Sequence, residues 1–232
     1  MTWLKAEYEF GSLFSYRIPD FSSQYALSSP LPGPSTIKLA IIATAIETTG
    51  NVSYGEKVFN IVKNAQIKIA KPKRIAVSNC LIKRLKKEKN AVKLQPTFGI
   101  RGYVHFQEPL KIYIEIEDKI QEIKFLLKRI RRFGTSDSLA CCITMVKDME
   151  EIPPDDVIEP VEYLQEGKTT LVVIPIKDIN PDDKVKFAHI NIYDKTTIKN
   201  KNIFVIRYYL LPILEKREGR NWTIYKIERT TD

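Results

Sequence analysis

Histidine and cysteine carry much of nucleophilic, acid–base and metal chemistry, and both are scarce here: the 232 residues include two of the first and three of the second. Cys80, Cys141 and Cys142 are odd in number and lack CxxC spacing, so neither a disulfide framework nor a zinc site is indicated. Neighbours in a strand point to opposite faces, and Cys141 and Cys142 read as small apolar fillers. No HExxH, Walker loop, GxGxxG, nucleophile elbow or paired acidic metal site is present. Asp155-Asp156 and Asp182-Asp183 are adjacent pairs in proline-containing loops, the wrong context for a hard metal ion. No metal, cofactor or enzyme chemistry is therefore expected. Long apolar runs are missing too: the longest, over 39–46, is far too short to span a bilayer. The stretch MTWLKAEYEF alternates like a strand and lacks the basic-then-apolar pattern of a signal peptide. A cytoplasmic protein with no membrane partner is expected.

What is present is a core and an uneven charge. Hydrophobic residues at 44% and charged residues at 28% are ordinary for a chain that packs. Residues 1–149 hold 24 Lys and Arg against 13 Asp and Glu, whereas residues 150–232 hold 13 against 15. All the excess positive charge lies in the first part, which points to a polyanionic partner.

Leu4, Ala6, Tyr8 and Phe10 alternate with polar residues, as in a half-buried strand. The Ser- and Pro-rich stretch GSLFSYRIPDFSSQYALSSPLPG is longer than ordinary connections and is read as a functional segment. Its apolar residues Phe14, Ile18, Phe21 and Tyr25 suit either a partner or a folded-back loop. Pro34-Ser35-Thr36 open an apolar helix, and YGEKVFNIVKNA predicts a second. IKIAKPKRIAVSNCLI reads as strand, followed by the very basic KRLKKEKNAVK, and Ile112, Ile114 and Ile116 mark another strand. Over 120–133 the apolar residues share one helical face, and LACCITMV closes the unit as a strand. The order is that of an α+β, ferredoxin-like βαββαβ domain over 1–149, related to RRM-like folds. The stretch EEIPPDDVIEPVEYLQEG carries seven acids and three prolines, so it reads as a boundary or an extended arm. The strand-like segments beyond it predict a small β-rich C-terminal domain within 150–232, after an acidic linker, with a single domain carrying a β extension as the alternative.

The stretch RRFGTSDSL, over 131–139, admits two readings. Cations suit the last turn of a helix and Gly134 suits a left-handed cap. The same glycine also lets backbone N–H groups approach a phosphate, with Ser or Thr hydroxyls donating beside it. Local sequence leaves both open. In the run Lys83, Arg84, Lys86, Lys87, Lys89 and Lys93, only Glu88 offsets the charge, which suits either a solvated face or a projecting basic hairpin. RGYVHF begins like an RNA-recognition strand but fails its later positions, so strand packing is the expectation. His105 and His189 read as packed or surface histidines.

Together FSYRIPDFSSQYALSSPLPGPSTIKLA, TFGIRGYVHF and RRFGTSDSL resemble the CRISPR-associated Cas-five family of the RAMP superfamily, most closely its archaeal type I-A branch. The resemblance spans 1–149. It implies a guide-RNA (crRNA) binding, non-catalytic subunit of the antiviral Cascade surveillance complex that caps the 5′ handle of the guide. Its implied partners are the Cas-seven backbone subunit and other Cascade subunits, with target DNA met only indirectly. A basic thumb is implied at about 83–97. The RNA-binding residues this reading selects are Arg17, Lys38, Lys83, Arg84, Lys86, Lys87, Arg101, Arg131, Arg132, Gly134, Thr135 and Ser136. A branch of the family cleaves repeat RNA without metal, so a metal-independent endoribonuclease is the alternative, with His105, Tyr103 and Lys111 as conceivable acid–base groups. A generic basic RNA-binding domain is the third reading.

Overall fold

The computed structural model describes residues 2–19, 21–22, 24–87, 93–144, 146–151, 157–161, 170–182, 184–193 and 202–229. Its first sheet is built around β1 (Thr2–Phe10), which pairs antiparallel with β6 (Leu110–Ile116) on one side and β7 (Ala140–Cys142) on the other. Beyond β6 lie β3 (Ile67–Ala70) and β9 (Val157–Ile158), and β8 (Lys147–Met149) also pairs with β1. Period-two burial drives this pairing: Leu4, Ala6 and Tyr8 of β1 are fully buried and face the same core as Ile112 and Ile114.

Helices follow from local chemistry. In α1 (Pro34–Thr49) proline occupies the first turn, where no intrahelical N–H is needed, and Gly50 closes the end by donating its N–H to the Ile46 carbonyl. The helix is apolar nearly all round and is buried accordingly in the main apolar cluster. In α2 (Val52–Val62) the Asn51 side chain accepts from the Ser53 N–H and caps the first turn. The third helix, α3 (Ile120–Leu127), buries Ile123, Leu126 and Leu127.

The second sheet runs in the order β10 (Thr170–Ile179), β11 (Phe204–Glu218), β12 (Trp222–Ile227), β4 (Arg74–Lys87), β5 (Leu94–Phe106) and β2 (Tyr25–Ala26). Among the described residues the architecture is α+β, two six-stranded sheets with few helices. Among the described residues, strands from beyond 150 join both sheets. Strand β9 joins β3, β12 joins β4, and Ile174 and Leu211 share one buried cluster with Ile41 and Ile112. The open edge of β4 supplies the hydrogen-bonding partner that β12 needs, so the C-terminal strands extend a sheet already present. Val157 and Ile158 are likewise buried and paired, where an extended arm had been expected; most of that acidic stretch lies outside the described residues.

Two further expectations are corrected. The helix predicted over 120–133 ends at Leu127, because the chain then turns to pair Arg132 with Leu139 and to bury Phe133 against Tyr8 and Phe10. The strand expected from LACCITMV is only three residues long before the chain leaves the β1 edge and rejoins it at β8. Cys141 is exposed and Cys142 half-buried, so only the second serves as packing; burial pushes its thiol pKa up, away from a reactive thiolate.

Candidate nucleic-acid interface

Strands β4 and β5 pair without a shift from Ile75↔Phe106 out to Lys87↔Leu94. This long hairpin projects the basic run from the sheet; residues 88–92 at its tip lie outside the described residues. Residues opposite one another share a face, so the register sorts the side chains. One face carries Arg84 opposite Thr97 and, further down, Arg101 opposite Cys80. The other carries Leu81, Lys83 and Leu85 opposite Ile100, Phe98 and Pro96. There Leu81, Leu85 and Phe98 are strongly exposed, and the Lys83 ammonium lies 5.8 Å from the centroid of the Phe98 ring.

At the root of the hairpin the 11–16 segment is laid along β5. Phe14 exchanges both backbone hydrogen bonds with Val104, and Ser15 Oγ donates to the Gly102 carbonyl at 2.9 Å. Gly102 is required because a Cβ there would lie 2.3 Å from the backbone nitrogen of Ser28. The long Ser-rich loop is thus a folded-back element. Phe14 is fully buried, Ile18 is intermediate, and Phe21 and Tyr25 remain exposed.

The 131–139 stretch then packs onto this segment. Arg132 bridges to Leu139, the Ser138 N–H donates to the Thr135 carbonyl, and Ser138 Oγ, fully buried, accepts the Ser15 N–H at 2.8 Å. Ser12 Oγ accepts from the Leu139 N–H at 2.7 Å. Gly134 has φ +74, and a Cβ there would approach Tyr16 Cδ2 to 3.0 Å and the Ser15 carbonyl oxygen to 3.2 Å. It is therefore left-handed as expected, but as the corner of a tight hairpin seven residues past the helix end, not as that helix's cap. The 134–138 stretch is thus a loop beyond the helix end, held from beneath by Ser12, Ser15 and Ser138.

This geometry collects some of the expected residues and disperses others. Arg84 and Arg101 converge on Asp137 of the same loop, 3.6 Å and 3.8 Å from its Oδ2. Asp137 is not among the residues selected from the sequence; an acid inside a run flanked by cations was the available signal. Exposed pairs of this kind contribute about 0.2–1 kcal/mol each. Ser136 is exposed, whereas Thr135 is half-buried with its hydroxyl against Ser138 Oγ. Arg131 and Arg132 are exposed beside Gly134 and Tyr16 around a hollow of about 180 Å³, and Arg132 is ion-paired with Glu47. Arg17 is exposed on the folded-back loop, bridging to Ser28. Lys86 and Lys87 sit in β4 nearest the tip; their side chains lie outside the described residues.

Lys38 is the clear correction. It is 2% exposed inside α1, donating to the Lys63 carbonyl and to Asp178 Oδ1, each at 2.9 Å. Burial lowers its pKa and the Asp178 carboxylate raises it again, with burial the larger effect. A cation spent on an internal carboxylate meets no phosphate. His105 is exposed on β5, flanked by buried Val104 and Phe106 as ordinary strand alternation requires. Lys111 belongs to β6, in the other sheet from His105 and Tyr103. His189 accepts the Lys186 N–H at Nδ1 and caps a short 3-10 turn. Among the described residues no cluster of His, Cys, Asp and Glu could hold a metal, and no helix is long and apolar enough to cross a membrane.

No family model matches the chain. It is 43% identical over 237 residues to the CRISPR-associated protein Cas5 of Archaeoglobus fulgidus, covering 98% of this chain and 100% of that one. A crystal structure of a CRISPR protein from Archaeoglobus fulgidus superposes with a TM-score of 0.50 at 14% identity, over 98% of this chain and 92% of that one, a likeness of fold alone. Shared over essentially the full length of both sequences, the 43% identity shows that the chain belongs to the CRISPR-associated Cas5 family.

Proposed function

We propose that the protein is a non-catalytic guide-RNA binding subunit of a type I-A Cascade complex, holding the 5′ handle at the end of a filament of Cas-seven subunits. One observation carries this reading. Arg84, Arg101 and the 134–138 loop, drawn from three separate stretches of sequence, share one open surface along one face of a projecting basic hairpin. Cations there neutralise backbone phosphates and fix the RNA in place, while on the hairpin's other face the exposed Phe98 offers a ring on which a base stacks. In this reading the β7-β1-β6-β3 order, with helices inserted after β1 and after β6, is a ferredoxin-like RAMP core, and the β4–β5 hairpin is its thumb.

The test is co-expression of the tagged protein with its Cas-seven partner, pull-down, and sequencing of the bound RNA. Guides sharing one repeat-derived 5′ end, together with the backbone subunit, are expected. Recovery of unselected RNA without that subunit would favour a generic RNA-binding domain. Recovery of neither from folded protein overturns the proposal.

A further inference from the structure

The contact between Asp137 and the two arginines has an unusual form. A single carboxylate oxygen, Oδ2, serves both guanidiniums, at 3.6 Å from Arg84 and 3.8 Å from Arg101. Both separations exceed hydrogen-bonding distance, and the Arg84 and Asp137 side chains are each 51% exposed. Beside the arginines lies an open hollow of about 280 Å³, walled by Gln24, Thr97 and Gly99. The backbone beneath the carboxylate is fixed: Ser12 Oγ donates to the Asp137 carbonyl, and Ser138 Oγ holds the Ser15 N–H. The carboxylate can therefore swing off the arginines about its own side-chain torsions while the loop stays in place.

We propose that Arg84 and Arg101 form a phosphodiester-binding pair and that Asp137 is its resident stand-in anion, displaced when an RNA phosphate arrives. This assignment rests on the guide-RNA reading and deepens it. A phosphodiester brings two non-bridging oxygens and is free to settle where both guanidinium forks can donate with good geometry. The tethered carboxylate offers one oxygen out of range of either. Exchange replaces two loose contacts with direct charge-assisted hydrogen bonds. Until then the pair presents a net charge of about +1 in place of +2, which weakens capture of unrelated polyanions.

The test uses the full chain and a fluorescent oligouridylate, comparing wild type with Asp137→Asn, Arg84→Ala/Arg101→Ala and the triple variant. Asp148→Asn is the charge-matched control, since Asp148 pairs with Lys124 instead. Asp137→Asn is expected to tighten binding by roughly two- to tenfold, the loss of two weak competing ion pairs. Asp148→Asn is expected to change little, and the gain should vanish when both arginines are absent. Unchanged or weaker binding in folded Asp137→Asn overturns the assignment, as does an equal gain in the triple variant. Asp137→Ser, which also removes the charge, serves if the asparagine variant folds poorly. Pyrophosphate titration followed by phosphorus NMR separates the two levels. Arginine-dependent broadening in Asp137→Asn, without oligouridylate binding by any variant, keeps the anion site and removes the RNA reading. Salt-dependent RNA binding with no response to Asp137→Asn does the reverse.

Discussion

Tyr8 and Phe133 meet edge to face, with ring centroids 4.8 Å apart and planes 88° apart. Tyr8 Oη also donates to the Leu127 carbonyl at 2.7 Å. One side chain of the first strand therefore ties down both the end of α3 and the turn leading into the 134–138 loop. The rigidity of the proposed RNA surface begins in the core beneath it.

Tyr8→Phe keeps the ring contact and removes the hydrogen bond, leaving a buried carbonyl without that donor. A loss of about 1–3 kcal/mol in unfolding free energy is expected in denaturant titrations. Burial raises the Tyr8 phenol pKa well above the ordinary 10.0. A raised folded pKa means the unfolded chain loses its proton first, so this stabilisation is complete below pH 10.0 and is lost as pH rises further. The stability gap between wild type and Tyr8→Phe should thus be flat to that pH and shrink above it. A gap that widens contradicts the assignment.

Gly134→Asn distinguishes a hairpin corner from a helix cap. At an exposed left-handed cap, asparagine is tolerated. Here any Cβ runs into Tyr16 and the Ser15 carbonyl, so Asn and Val should both lower the melting temperature. Valine, with its added penalty at positive φ, should cost about 1–2 kcal/mol more. A parent-like melt for Gly134→Asn would show that the close packing on Tyr16 is wrong.

Guide binding should weaken steeply with salt. If roughly five phosphates are neutralised, log affinity falls against log salt with a slope of about −3.5. Replacing Lys83, Arg84, Lys86 and Lys87 by Ala should flatten that slope while leaving preference among sequences nearly intact. Lys38→Met should leave the slope alone and alter only stability, because that ammonium is buried. A salt-independent affinity is incompatible with the phosphate surface.

Repeat RNA incubated with excess protein should remain whole, with or without divalent ions. Specific cuts that vanish in His105→Ala but persist in His189→Ala would install the endoribonuclease reading. Gel analysis at neutral pH suffices.

Much of this was legible because the signals were local. The alternation of Leu4, Ala6 and Tyr8, the Pro34 and Gly50 ends of α1, and the alternation of Ile112, Ile114 and Ile116 each need only a few neighbouring residues. What stayed hidden depends on long-range partners. Lys38 looks like any helical cation until a carboxylate on β10 is brought against it. The helix over 120–133 has an unbroken apolar period, yet Phe133 reaches the core just as well from a turn. Asp137 acquires meaning only when the register of β4 against β5 sets Arg84 and Arg101 on one face. The C-terminal strands looked separate because composition changes at 150, whereas their pairing is decided by an unfilled strand edge far earlier in the chain.

The Lys38–Asp178 pair spans 140 positions of sequence, and this sets the order of events during synthesis. At ribosomal speeds of about 5–20 residues per second, α1 emerges on the order of ten seconds before its counter-ion exists. Closing the core earlier would strand an unmatched ammonium in it, at a cost of several kcal/mol. Docking of α1 with a charged Lys38 is therefore favoured only once β10 has been translated. A chain that stops before that strand leaves Lys38 with the Lys63 carbonyl but no carboxylate, so burial there favours the neutral amine.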